Sequence, residues 1–186
     1  MIVPQTIRIR TFALALLTGG CNEGPPKAPE ANEEYLALSA QLAERVGIVA
    51  IVVYQLPNCK IVYPSDPQRL PRHEDSMIAW AWRQYIYDPA HDPRWLPRFP
   101  MVKASFAAMQ AVEAYTTKIG VADIDGWGVG GASKRGWTSW MVGATKCASC
   151  PKIKALLPLV PIVPFLMKSV HMQYKSLGGL TFAVSA

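Results

Sequence analysis

Gly130-Gly131-Ala132-Ser133-Lys134-Arg135-Gly136 decides how the rest of the chain is read. The preceding Ile124–Gly130 is a strand candidate, and Lys134–Thr145 has a helical pattern. A serine between strand and helix, flanked by small residues, has the layout of a nucleophile elbow. The turn is too sharp for bulky neighbours, which accounts for Gly131 and Ala132. Ser133 then projects at the carboxyl end of a sheet, and the backbone N–H of Lys134 faces a developing oxyanion. The spacing departs from the usual one, because the second glycine is Gly136 and not residue 135, giving Gly-x-Ser-x-x-Gly. The competing reading is a glycine turn with Ser133 as an ordinary helix N-cap. Lys134 and Arg135 oppose the dipole of the following helix, at a cost of about 0.3–1 kcal/mol each. A local rule broken beside a candidate nucleophile points to an anionic substrate or to oxyanion support, unless both side chains simply reach solvent.

Working outward, the pattern alternates strands and helices. Phe12–Thr18 is a compact apolar run ended by Gly19-Gly20, as in a strand buried on both faces. Asn32–Val46 reads as a helix with Leu38, Leu42 and Val46 on one face. Ile48–Tyr54 is a β-branched strand, followed by a proline-punctuated loop over Gln55–Arg72. Glu74–Tyr87 is helical, with Ile78, Trp82 and Ile86 at spacing four. After a loop over Asp88–Pro100, Val102–Lys118 forms a helix with Phe106, Met109, Val112 and Tyr115 at the helical period. Ile153–Val163 is a fourth strand and Pro164–Tyr174 a further helix. Parallel strands need such crossovers, so the expected class is α/β, a mostly parallel sheet with helices on both faces. Trp137 and Trp140 are expected to anchor the helix behind Ser133, and a second oxyanion N–H is expected from Cys21 or Asn22, after the glycines that end the first strand.

The 186 residues suit one domain, and 51% hydrophobic with 17% charged residues excludes disorder and a coiled coil. A net charge of +6 from scattered basic residues gives little support to nucleic-acid binding. No apolar run approaches the 18 or so residues of a membrane span. Arg8–Cys21 has the outline of a signal peptide, but its apolar core, Phe12–Leu17, is short of the roughly 7–15 residues such a core wants. Four cysteines are too few for a disulfide scaffold. Cys147-Ala148-Ser149-Cys150 lacks the second pair that a zinc site needs, which leaves a local disulfide or two thiols. His73-Glu74 starts like a zinc-protease motif, but Met77 stands where the second histidine belongs. His91 reads as a loop residue and His171 as a helix residue. No metal and no cofactor are expected.

Several blocks resemble the PhoPQ-activated pathogenicity-related protein family, which includes autocrine proliferation repressor proteins. They are Leu17–Gly20, Gln55–Asn58, His73–Trp80, Pro100–Ala104, Gly131–Thr138 and Leu157–Val163, in order along the chain. The resemblance implies an α/β-hydrolase fold, a secreted or extracytoplasmic location and Ser133 as nucleophile. The expected substrate is an ester or amide of small-molecule, peptide or carbohydrate origin, its identity left open by the sequence. The elbow is also similar to that of glucuronoyl esterases, whose cation after the serine falls at Lys134. Many family members carry an aspartate where this chain reads Val163-Pro164-Phe165. In a hydrolase of this class the acid and then the histidine follow the serine. Cys147–Ala186 contains no Asp or Glu. The expectation is a short extension over residues 1–11 and a partial α/β-hydrolase domain over 12–186, truncated before its acid and base. The alternative is a secreted signalling or interaction protein that keeps the scaffold without catalysis.

Overall fold

The computed structural model describes residues 1–21, 28–160 and 166–179. Asn22 and the Val163-Pro164-Phe165 stretch lie outside them. Four strands, β1 (Phe12–Leu17), β2 (Val49–Val53), β3 (Gly126–Ala132) and β4 (Ile153–Leu159), form one parallel sheet in the order β2-β1-β3-β4. Five helices accompany them: α1 (Glu34–Val46), α2 (Glu74–Tyr87), α3 (Arg98–Lys118), α4 (Lys134–Ala144) and α5 (Leu166–Leu177). A 3-10 turn over Pro93–Trp95 interrupts the loop before α3. The class is therefore α/β with an all-parallel sheet.

The order reverses direction at β1. From β1 the chain moves one way to β2, then crosses back over β1 to β3 and on to β4. Right-handed crossovers in opposite directions put α1 on one face and α3 and α4 on the other. The second face holds the main core, where Ala13, Ala15, Leu17, Val49, Ile51, Trp127 and Val129 meet Met101, Phe106 and Met109 of α3 and Val142 of α4. Trp127 is wholly buried, and its indole N–H donates to a Glu113 carboxylate oxygen at 2.8 Å. In open α/β sheets a reversal of this kind sets a ligand-binding crevice at the carboxyl ends of the strands, here those of β1 and β3.

Two helical faces differ from the sequence reading. α1 turns Ser39 and Ala43 inward and leaves Leu38 and Val46 exposed. α2 buries Met77, Ile78, Trp80 and Ala81, while Ile86 is 62% exposed. In α1 the small side chains let the helix lie close to the sheet, which outweighs burying a leucine. α3 begins at Arg98, with Pro100 in its first turn, where an N–H has no intrahelical acceptor to lose.

The two sheet edges are unlike. On the β2 side, Ile2 exchanges two backbone hydrogen bonds with Ala50, at 2.7 and 3.0 Å. On the β4 side no strand among the described residues pairs with the outer edge, and Leu156, Leu157, Leu159 and Val160 are exposed.

Candidate active site at the β3–α4 turn

Ser133 lies in the turn between β3 and α4, exposed, with φ 54° and ψ −120°. An L-residue held there costs about 1–3 kcal/mol and persists only where its surroundings over-determine it. The surroundings do so. The Ser133 N–H donates to the Leu159 carbonyl at 3.0 Å, and its own carbonyl accepts from the Trp137 N–H at 3.0 Å. A Cβ on Gly131 would lie 2.7 Å from Cβ of Arg135. A Cβ on Gly136 would run into the Leu159 carbonyl oxygen and sit 3.0 Å from that of Gly131. Close approach of α4 to β4 thus explains why the second glycine stands three places after the serine. Ser133 stands at the N-cap position of α4, but its side chain makes no capping hydrogen bond.

The backbone N–H groups of Lys134, Arg135 and Gly136 have no acceptor among the described residues. They point from the start of a helix and carry its positive end. Across the crevice, Gly20 adopts φ 102° and leads into Cys21, which is disulfide-bonded to Cys59. Backbone bonds from Gln55 N–H to the Gly19 carbonyl (2.9 Å) and from Leu56 N–H to the Thr18 carbonyl (3.1 Å) fasten this loop to the one after β2.

Neither cation after the serine reaches solvent freely. Lys134 Nζ lies 2.8 Å from Glu74 Oε2 and 2.6 Å from Asp75 Oδ1. Arg135 Nη1 donates to Glu74 Oε2 at 3.1 Å, Nη2 pairs with Glu74 Oε1, and Nε donates to the Leu56 carbonyl at 2.5 Å. Burial alone would push the Glu74 carboxyl up. Hydrogen bonds from Arg135 and Lys134, with their charges, outweigh it and bring the pKa to about 2. A Cβ on Gly19 would collide with this pair, so the pair lies flat on the Gly19 backbone. Behind the turn, Arg98 stacks over the Trp137 ring at 4.5 Å, and its Nη1 donates to the Lys134 carbonyl at 3.3 Å. Burial lowers the Arg98 pKa to about 10. Trp137 also meets Trp82 edge to face at 5.9 Å. Trp140, expected to anchor as well, is half exposed.

Sequence reasoning missed Glu74 and the Cys21–Cys59 bond. Glu74-Asp75, acids opening one helix, are the complement of the two cations opening another, and an even cysteine count allowed a second pair. Cys147 and Cys150 are also disulfide-bonded. Of the histidines, His73 lies 3.6 Å from Cys21 Sγ through Nδ1, His91 contacts the Tyr85 carbonyl, and His171 is exposed on α5. None of the described His, Cys, Asp and Glu residues form a group of three or more that could hold a metal. An open hollow lined by Gln84, Tyr87, Asp88, Asp92, Arg94 and Trp95 lies at the opposite end of α2 from Glu74 and includes no elbow residue. No helix among the described residues is long and apolar enough to cross a membrane.

No solved structure matches the chain. It is 30% identical to autocrine proliferation repressor protein A of Dictyostelium discoideum over 185 residues, 98% of this chain and 34% of that protein. The chain thus spans about a third of the length of this curated relative. The family model for PhoPQ-activated pathogenicity-related protein matches residues 1–186, and the chain belongs to that family.

Proposed function

We propose that the chain carries the nucleophile and oxyanion elements of a serine hydrolase of α/β-hydrolase type, acting on an ester or amide. The observation that carries this reading is the backbone of Ser133, held at φ 54° and ψ −120° by glycines that close packing requires. Such strain collects at functional sites. In the reaction, the Ser133 hydroxyl attacks the carbonyl carbon and passes its proton to a base. The Lys134 N–H, with that of Cys21 across the crevice, donates to the oxyanion of the tetrahedral intermediate. Asn22, the other oxyanion candidate, lies outside the described residues. Lys134 and Arg135 bias the site toward substrates with negative charge, in competition with Glu74 and Asp75. Two disulfides among the described residues support an oxidising, extracytoplasmic location.

A second reading is a secreted signalling or interaction protein on this scaffold, favoured by the relative's name as a proliferation repressor. One experiment separates them. A fluorophosphonate probe should label the full-length protein, and Ser133→Ala should abolish labelling. Equal labelling of a correctly folded Ser133→Ala variant would remove Ser133 as nucleophile, and an unlabelled wild type would favour the second reading.

A further inference from the structure

We propose that Glu74 is a positioning residue that sets the distance between the two halves of the oxyanion site. This inference rests on the serine-hydrolase reading. Glu74 opens α2 and belongs to neither strand loop of the crevice, yet it touches what fixes both. Its carboxylate binds Lys134 and Arg135, the first two residues of α4. The Glu74 and Arg135 side chains pack on Gly19, at the start of the loop that carries Cys21. Arg135 carries the link one step further, to the Leu56 carbonyl. Leu56 in turn donates its N–H to Thr18. One carboxylate therefore clamps the loop after β1, the loop after β2 and the start of α4 in a single arrangement.

An oxyanion site works through donors fixed before the charge develops. The donors here come from two separate segments, so their spacing must be held by something that bridges them. Backbone pairing cannot do this beyond Leu17 and Gly131, the last residue pair in the β1–β3 register. The Glu74–Arg135 pair takes over where the sheet ends. The two arginine nitrogens meet the two carboxylate oxygens, a geometry that fixes orientation as well as distance. A glycine at position 19 lets the pair lie on the backbone itself, so movement of the pair is movement of the loop.

The test uses the full-length protein and three variants: Glu74→Gln, Gly19→Ala and Ser133→Ala. Fluorophosphonate labelling is followed with time at several probe concentrations, well below each variant's melting temperature. Glu74→Gln should slow the chemical step at least tenfold and leave the apparent binding constant within twofold. Gly19→Ala, which displaces the pair without removing it, should do the same. Amide hydrogen exchange should quicken together in residues 18–21 and 133–137 of Glu74→Gln, a result that does not depend on activity. A Glu74→Gln variant that labels at the wild-type rate, or whose two segments exchange as before, overturns the positioning role while Ser133 stands. Labelling that survives Ser133→Ala overturns the hydrolase reading instead.

Discussion

Ser133 and Leu159 are joined backbone to backbone, the serine N–H donating to the leucine carbonyl at 3.0 Å. Leu159 is the last residue of β4, so the elbow is bonded to the outermost strand of the sheet. The packing of Gly136 on the same carbonyl makes this contact the tightest constraint on the turn.

Gly136→Ala should therefore destabilise the fold. Overpacking of this kind costs about 1–3 kcal/mol, which lowers the melting temperature on the order of 5 °C for a chain of this size. Gly179, with open space around it and no left-handed φ, gives a control, because the added Cβ of Gly179→Ala meets no neighbour. Thermal melts in which Gly136→Ala matches wild type would show that α4 shifts away from β4 without cost.

Ser133→Gly and Ser133→Ala should be equally inactive and unequally stable. Only glycine takes a positive φ without strain, so the glycine variant should exceed the alanine variant by about 1 kcal/mol. Chemical denaturation reads the difference. Equal midpoints would mean that the backbone at 133 relaxes when the hydroxyl is lost.

The Glu74 cluster should shape acid stability. Its carboxyl is lowered from an ordinary 4.5 to about 2 in the fold. The pairing thus stabilises the protein above about pH 4.5, and that contribution disappears as the pH falls through 2. Wild type should lose stability more steeply than Glu74→Gln over that window. Parallel pH profiles for the two proteins would contradict this.

The two disulfides should differ in worth. Cys21–Cys59 closes a separation of 38 residues, which by loop entropy stabilises by about 4 kcal/mol. Cys147–Cys150 closes a separation of 3, worth under about 2 kcal/mol. Cys59→Ser should lower the melting temperature well beyond Cys150→Ser, measured with the other bond intact. The reverse ranking would show that the longer loop is already ordered before the bond forms.

Much of the architecture is legible in the sequence because strands in a parallel sheet are apolar runs of limited length. β1 and β2 fall within a residue or so of the predicted runs for this reason. β3 carries on through Gly131 and Ala132, past the predicted end, because its glycines admit Leu16 and Leu157 against the sheet. Helical faces are read less well. The periodicity of α1 marks leucines, but the residues that touch the sheet are Ser39 and Ala43, and a small residue gives no hydrophobic signal. At the site, Ser133 and its glycines are a local pattern and stand out. Glu74 is 59 residues away in sequence from Ser133 and enters only through charge pairing, which no periodicity records.

The Ile2–Ala50 bridge has a consequence for growth of the sheet. It occupies part of the outer hydrogen-bonding side of β2, while no strand among the described residues pairs with the outer side of β4, which lies beside exposed leucines. Strand addition is therefore directional. A further strand, from whatever source, would join at β4 and leave β3, the strand that presents Ser133, two places from that edge instead of one.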